Sequence, residues 1–161
     1  MLYCTVNKYI CYTTIMIDLK SDNYFMQQAL KEAQKAFEKD EVPIGAVVVA
    51  NETIIAKGHN LTEQLNDITA HAEIQAITAS SQYLGAKYLS DCTIYVTVQP
   101  CIMCSGALNW SQIKRVVYGA SDPNQKIDIK TLLHPSTEVK SGILKDEASQ
   151  LMKDFFQKKR K

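Results

Sequence analysis

The sequence predicts a single α/β domain, and three observations lead to this prediction. The chain has 161 residues, which is close to the size of one domain. Hydrophobic residues make up 46% and charged residues 22%, as is typical of a globular protein, and this composition excludes global disorder. Short β-branched segments alternate with helical patterns, which indicates helices packed on a sheet. Because no apolar stretch approaches about 18 residues, we expect no membrane-spanning helix.

The first predicted elements are a helix and a hairpin. Ser21 or Asp22 can cap a helix whose apolar residues recur at helical spacing as far as Phe37. The apolar run at residues 45–50 predicts a buried strand, and residues 53–57 predict its partner. We therefore expect an antiparallel pair of strands directly after the first helix.

The middle of the chain predicts a parallel pair of strands. We expect a helix over residues 70–81 and a strand over the β-branched run 92–98. Pro100 can open a third helix at its first position, and residues 113–118 predict another strand. Strand, short helix and strand form a βαβ unit, in which the two strands pair in parallel.

The C-terminal part predicts a loop and one more helix. Residues 121–141 lack a regular pattern, whereas residues 145–159 have the spacing of an amphipathic helix. Five apolar residues of this helix are expected to face the core: Ala148, Leu151, Met152, Phe155 and Phe156. The last four residues, 158–161, are all basic. A solvated helix end explains them most simply, and phosphate binding is the alternative.

The N-terminal residues and the cysteines bear on the cell compartment. Residues 1–15 are predicted to be an irregular extension ahead of a domain at residues 16–161. Lys8 interrupts the apolar N-terminal stretch, which makes this stretch a poor signal peptide. The odd number of cysteines, five, argues against a disulfide framework. We therefore expect a cytoplasmic protein, and we assign no role to Cys4 or Cys11.

Two short motifs stand out as candidates for a reactive site. One is H-x-E at residues 71–73, and the other is P-C-x-x-C at residues 100–104. Each arises readily by chance alone, whereas both together in one chain are rare. His71, Cys101 and Cys104 supply one imidazole and two thiolates. Three such ligands suit one Zn²⁺ and leave its fourth position open to a water, whose pKa zinc lowers towards about 7.

Glu73 is predicted to move protons rather than to bind the metal. It lies two residues from His71 and cannot share a face of a regular helix with it, so it is a poor fourth ligand. A carboxylate beside an activated water can take up a proton and deliver it to a leaving group. Together, H-x-E and P-C-x-x-C are the known signature of the zinc nucleobase deaminases.

The chain resembles the bacterial tRNA-specific adenosine deaminases of the cytidine-deaminase-like superfamily over residues 22–160. The matching segments are residues 24–33, 42–47, 58–60, 70–73, 95–97, 100–107, 115–120 and 154–156. The Val-Pro-Ile-Gly segment and the Phe-Phe pair before the basic tail are similar to the tRNA enzymes in particular. The resemblance implies a three-layer α/β/α fold with a mixed five-stranded sheet, and a homodimer.

The same resemblance implies a reaction, a cofactor and binding residues. The reaction is hydrolysis of adenosine to inosine at the wobble position of a tRNA anticodon loop, with one Zn²⁺ per chain. By matching position, Asn60 hydrogen-bonds the base, Ile44 packs on it, and the backbone of Ala72 reads its edge. Contacts with RNA are implied for Phe156, Lys159 and Arg160. From the residues alone, Asn60 is a turn former and Phe156 a core residue.

Two departures from the family pattern bear on the substrate. Gln99 stands where the family has glutamate before Pro-Cys, and the loop after Asp122 lacks the expected glycine-rich stretch. The loss of charge at Gln99 is expected to tune the site rather than to abolish its chemistry. The altered loop affects the expected RNA contacts, and hence the identity of the substrate.

Several other functions are compatible with parts of the pattern. The main alternative is a deaminase of free guanine or cytosine on the same fold, but the basic tail favours RNA. A catalytically silent RNA-binding subunit would not need Glu73 as a proton shuttle. A redox C-x-x-C protein leaves the H-x-E motif unexplained. A closed structural zinc site would need a fourth ligand, for which His59 and His134 are the candidates.

Overall fold

The computed structural model describes residues 21–123 and 126–160. In chain order, the elements are α1 (Asp22–Glu38), β1 (Gly45–Ala50), β2 (Thr53–His59), α2 (Ala72–Leu84), β3 (Thr93–Val98), α3 (Ile102–Trp110), β4 (Arg115–Ala120), a 3₁₀ turn (Ile129–Thr131), β5 (Glu138–Ser141) and α4 (Lys145–Lys159). The predicted extension at residues 1–15 and the predicted start of the domain at residue 16 lie outside the described residues. Within the described ranges, no helix combines the length and hydropathy needed to span a membrane.

The five strands form one mixed sheet in the order β2-β1-β3-β4-β5. β1 pairs antiparallel with both β2 and β3, whereas β4 pairs in parallel with β3 and with β5. The parallel pair of β3 and β4 confirms the predicted βαβ unit. Consequently β2, β3 and β4 all end at the same end of the sheet, where β1 begins.

Alternate residues of the central strands face two helical layers. Val47, Tyr95 and Val117 pack with buried residues of α1 on one face. On the other face, Val48 and Ile94 pack with buried residues of α2 and α3. This alternation follows from the period of two residues along a strand. The three-layer α/β/α fold with a mixed five-stranded sheet is confirmed.

Two details of the prediction are wrong. The segment 121–141, expected to be loop, contains β5; this strand has four residues, and only Val139 among them is half-buried. Such a short and exposed edge strand shows no hydrophobic pattern in the sequence. The third helix begins at Ile102 with Cys101 as its N-cap. Pro100 therefore lies before the helix and not at its first position.

A charged network ties the start of α1 to the sheet. The Asp22 carboxylate accepts hydrogen bonds from both terminal nitrogens of Arg115, at 2.7 and 2.9 Å. It also accepts one from Lys140 at 2.7 Å and one from the Tyr95 hydroxyl at 2.9 Å. The hydrogen bonds from Arg115, with those from Lys140 and Tyr95, outweigh burial and hold the pKa of Asp22 well below its ordinary value.

We expect Asp22→Asn to lower the free energy of unfolding by about 2 kcal/mol at pH 7, the usual size for hydrogen bonds to a charged group. A carboxyl group with a lowered native pKa stabilises the fold above its unfolded-state pKa of about 3.9. This contribution is lost as the pH falls through the lower native pKa. Urea unfolding at about pH 7 and pH 3 should therefore show a smaller gap between variant and wild type at the lower pH. A gap that does not change with pH would contradict this account.

Candidate active site

The H-x-E and P-C-x-x-C motifs meet at the end of the sheet where β3 ends. His71 is the N-cap of α2 and Cys101 is the N-cap of α3, each with extended backbone. Cys104 follows within the first turn of α3 and is buried. The free peptide N–H groups at a helix start carry partial positive charge, which favours a thiolate there. Both helices therefore direct their positive ends at the same point.

His71, Cys101 and Cys104 form a donor set that fits one metal ion. Nδ1 of His71 lies 3.7 Å from Sγ of Cys101 and 3.5 Å from Sγ of Cys104, and all three donor atoms lie within 4.8 Å of one another. Tetrahedral zinc, with bonds of about 2.3 Å to sulfur and 2.0–2.1 Å to nitrogen, separates such donors by about 3.5 Å. The spacing and the chemistry of the donors therefore suit zinc.

Neither of the other two histidines joins this group. His59 Nδ1 lies 3.3 Å from the Glu32 carboxylate, and His134 hydrogen-bonds to Ser136. Across residues 21–123 and 126–160, His71, Cys101 and Cys104 are the one His, Cys, Asp or Glu group arranged to hold a metal ion. Three protein ligands would leave a bound zinc ion an open fourth position, as in catalytic rather than structural zinc sites.

The pKa values of the two thiols are shifted in opposite directions. Hydrogen bonds with Cys104 and His71 lower the pKa of Cys101 to about 4. The pKa of Cys104 is raised, because it donates to Cys101 and is buried. The hydrogen bond with Cys101 in turn raises the pKa of His71.

Glu73 lies beside the donor set without belonging to it. The residue is 3% exposed, and among the described side chains its Oε2 is the one buried oxygen or nitrogen without a hydrogen-bond partner. Burial raises the pKa of Glu73 to about 7. A carboxyl group with a free oxygen and a pKa near neutrality is suited to taking up and releasing protons.

A pocket of about 870 Å³ opens over these residues. Ile44, Val98 and Gln99 line it from the sheet side, and Ser121 to Pro123 line it after β4. One face of α4 forms the remaining wall with the side chains of Lys145, Ser149, Met152, Lys153, Phe156, Gln157 and Arg160. The pocket is therefore a cleft between the metal-ligand motifs and a helix that carries several cations.

The three predicted base-binding residues have different positions. Ile44 lines the pocket. Asn60 and Ala72 are buried beside lining residues: the Asn60 N–H donates to the Ile44 carbonyl at 3.1 Å, and Ala72 lies between His71 and Glu73 in the chain. The Asn60 side chain hydrogen-bonds to Glu41, a residue that the sequence does not single out.

The aromatic residues of α4 differ from the prediction in one respect. Phe155 is 3% exposed and packs against Phe37 of α1, as expected of a core residue. Phe156, expected to face the core, is 43% exposed and lines the pocket. Consecutive residues on a helix point in directions about 100° apart, so the two rings cannot both be buried against α1. Phe156 is therefore available to a ligand.

The cations near the C-terminus are also divided between two surfaces. Arg160 lines the pocket, whereas Lys159 pairs with Asp40 of the segment after α1. Lys145 and Lys153, which are not among the residues predicted to bind RNA, line the pocket as well. Their spacing from Arg160, in steps near multiples of the helical period, is the signal that could have identified them.

Comparisons with known proteins agree with this geometry. The family model of the MafB19-like deaminases matches residues 20–160. A tRNA-specific adenosine deaminase of Aquifex aeolicus is 45% identical over 146 residues, which cover 85% of this chain and 95% of that protein. The tRNA-specific adenosine deaminase of Agrobacterium fabrum is 40% identical over 144 residues, again 85% of this chain and 95% of that protein.

Solved structures show the same similarity. A structure from a study of A-to-I editing by tRNA:A34 deaminases at the wobble position is 40% identical, with a TM-score of 0.74, and the match covers 80% of this chain and 98% of that one. Guanine deaminase from Nitrosomonas europaea is 23% identical with a TM-score of 0.75, covering 84% of each chain. This second likeness shows the fold alone.

Proposed function

This chain belongs to the MafB19-like deaminases and, among them, to the tRNA-specific adenosine deaminases, and on that basis we propose that it hydrolyses adenosine to inosine at the wobble position of a tRNA anticodon. One observation supports the chemistry most directly. Glu73 is buried with an unpaired carboxylate oxygen beside a histidine and two cysteines at zinc-ligand spacing. This is the constellation that hydrolytic deamination of a nucleobase requires.

The residues divide into a metal site and a proton carrier. His71, Cys101 and Cys104 hold one Zn²⁺ per chain. When bound, zinc supplies Lewis acidity that makes a water nucleophilic near neutral pH. Glu73 takes a proton from the attacking water and passes it to the amino group that leaves as ammonia. The C–N bond breaks, a C–O bond forms, and one water is consumed.

One residue that lines the pocket and two that are buried beside it bind and orient the base. Ile44 packs on the base, the Asn60 side chain hydrogen-bonds to it, and the backbone of Ala72 reads its edge. An anticodon loop presents an unpaired base, so that moving the base into the pocket costs a few kcal/mol or less. Phe156, exposed on the pocket wall, is placed to stack on a neighbouring base.

The cations of α4 favour RNA over a free nucleobase. Lys145, Lys153 and Arg160 lie along one wall of the pocket, where they can meet the phosphates of a bound strand. A free guanine or cytosine carries no phosphate and gains nothing from this wall. The alternative, a free nucleobase deaminase, therefore leaves the cations unexplained.

We expect Lys153→Ala combined with Arg160→Ala to weaken binding of an anticodon stem-loop and to flatten its salt dependence. Loss of two phosphate contacts should reduce the slope of log K against log salt by roughly 1.4 for a single strand. Fluorescence anisotropy over a range of salt concentrations measures the slope. Lys114→Ala, an exposed lysine just before β4 and at the opposite end of the sheet, is the control and should leave the slope unchanged.

The protein is also proposed to form a homodimer and to act in the cytoplasm, where tRNA is its substrate. Three apolar side chains of α3 are exposed: Ile102 by 58%, Met103 by 37% and Trp110 by 83%. A second copy of the chain would remove such a surface from water. Light scattering coupled to size-exclusion chromatography measures the mass in solution, and a monomer of 18.1 kDa would contradict the dimer.

The deciding experiment is inosine formation on an anticodon stem-loop that carries adenosine at the wobble position. Nucleoside mass spectrometry detects the product, and free guanine and cytosine are tested in parallel. Inosine from the stem-loop supports the proposal. A protein that binds zinc, leaves the stem-loop unchanged and converts guanine would establish the alternative.

A further inference from the structure

Glu41 is a fully buried carboxylate outside the metal site. It lies between α1 and β1 and is 0% exposed. Oε1 accepts a hydrogen bond from the Gln64 N–H at 2.7 Å. Oε2 accepts three, from the Asn60 side chain at 3.0 Å, the Thr62 hydroxyl at 3.2 Å and the Glu63 N–H at 3.2 Å. Burial raises the pKa of Glu41, but these hydrogen bonds outweigh burial and the pKa lies below its ordinary value.

This network determines which way the Asn60 amide points. Nδ2 donates one hydrogen to Glu41 and the other to Thr62 Oγ1 at 2.9 Å. Rotating the amide by half a turn would place Oδ1 against the Glu41 carboxylate, where two acceptors repel each other. The Asn60 backbone is held as well, because its N–H donates to the Ile44 carbonyl. The orientation of the side chain is therefore set by Glu41.

The remaining polar atom, Oδ1, is left for a ligand. Within residues 21–123 and 126–160 no donor contacts it, and it is not among the unpaired atoms that are sealed from solvent. Asn60 as a whole is 3% exposed, and its N–H bonds to the carbonyl of Ile44, a residue that lines the pocket. An amide held in this way can accept a hydrogen bond but cannot donate one.

We propose that Glu41 is a positioning residue that holds Asn60 as a hydrogen-bond acceptor, so that the site selects a nucleoside presenting an N–H or O–H donor at that point. The inference rests on the proposed function, in which Asn60 contacts the base. It adds that specificity depends on a carboxylate that never touches the substrate. A purely structural role for Glu41, anchoring residues 61–64, would not link its effect to Asn60.

The test moves the carboxylate from position 41 to position 60 and the amide from position 60 to position 41. Asn60→Asp alone places two carboxylates at hydrogen-bond distance, and Glu41→Gln alone leaves the amide free to turn. Each is expected to lower kcat/KM for inosine formation by about tenfold or more, a usual size for coupled neighbours. In the double variant, the glutamine introduced at position 41 can donate to the aspartate introduced at position 60, which keeps an acceptor towards the base. We expect the double variant to recover most of the lost kcat/KM.

A second double-mutant cycle tests the inference even if the Asn60→Asp variant folds poorly. In an Asn60→Ala background, Glu41→Gln is expected to cause no further loss of kcat/KM, because its effect acts through the missing amide. Glu32→Gln is the matched control, since Glu32 is also a buried carboxylate, 4% exposed, but bonds to Lys35 and His59. It should leave kcat/KM unchanged. Urea unfolding and zinc content are measured for every variant, and a nitrogen-15 NMR spectrum reports whether the Asn60 amide hydrogens stay protected.

The possible outcomes distinguish failure of the inference about Glu41 from failure of the proposed function. Recovery in the charge exchange, or no further loss in the Asn60→Ala background, supports Glu41 as a positioning residue. Losses that multiply in both cycles, while wild type forms inosine, overturn the inference alone. Absence of inosine from zinc-loaded wild type overturns the proposed function and the inference together.

Discussion

Replacing Glu73 with alanine or glutamine is expected to slow inosine formation by about 10²–10⁴-fold, the usual contribution of a general acid–base group. The reason is local. In the proposed mechanism, the unpaired Oε2 and a pKa near neutrality suit this carboxyl group to carry protons beside the candidate metal ligands. Single-turnover rates on the anticodon stem-loop measure the loss, and nucleoside mass spectrometry quantifies the product. A near-normal rate in either variant would contradict the mechanism.

The same variants should keep their fold and their zinc. Oε2 makes no hydrogen bond to a described residue, so its replacement breaks no contact there, and burying a neutral amide costs less than burying a charge. We therefore expect the melting temperature of Glu73→Gln to equal or exceed that of wild type. Glu38→Gln is a control on the exposed side of α1 and should change neither rate nor stability. Loss of zinc from Glu73→Gln would show that Glu73 acts as a ligand instead.

Removing a metal ligand is expected to abolish both zinc binding and activity. His71→Ala and Cys101→Ala each leave two protein ligands, and after dialysis we expect less than about one tenth of a zinc ion per chain. Mass spectrometry of the metal content gives this number directly. Inosine formation should fall below detection in both variants.

The cysteines of the chain provide a matched control for this result. Cys92 is buried, 1% exposed, just before β3, at the opposite end of that strand from the metal ligands. Cys92→Ala removes a thiol that is more deeply buried than the half-buried thiol of Cys101, and it should keep a full complement of zinc. Unchanged metal content in His71→Ala and Cys101→Ala would refute the ligand assignment, whereas loss of zinc from Cys92→Ala would show that metal content reports folding rather than ligation.

Features that depend on the local sequence could be predicted from the sequence alone. Ser21 caps α1, the bounds of β1 match the apolar run at residues 45–50, and the three metal donors lie in two short motifs. Each depends on spacing within a few residues. The chemistry of the site follows from the same motifs, because a donor set is specified by residue type once two helix starts are brought together.

Features that depend on contacts between residues far apart in the sequence could not be predicted. β5 is too short and too exposed to leave a pattern, and it forms only because β4 offers a parallel edge. Glu41 lies in the short polar segment that follows α1, yet its partners Asn60 and Gln64 lie 19 and 23 residues further along the chain. Lys159 turns away from the pocket because Asp40 attracts it. No local sequence pattern around these residues predicts which residues they contact.

The Asp22 network has a consequence for how slowly the protein unfolds. Asp22 joins Arg115 and Lys140, which lie 93 and 118 residues away along the chain. Closing such long loops costs conformational entropy before the contact can form, so we expect this contact to form late in folding. A late contact is largely absent from the folding transition state, so its energy appears in the unfolding rate. We therefore expect the contacts of Asp22 with Arg115 and Lys140 to slow unfolding, and so to lengthen the lifetime of the folded protein, while they change the rate of folding little.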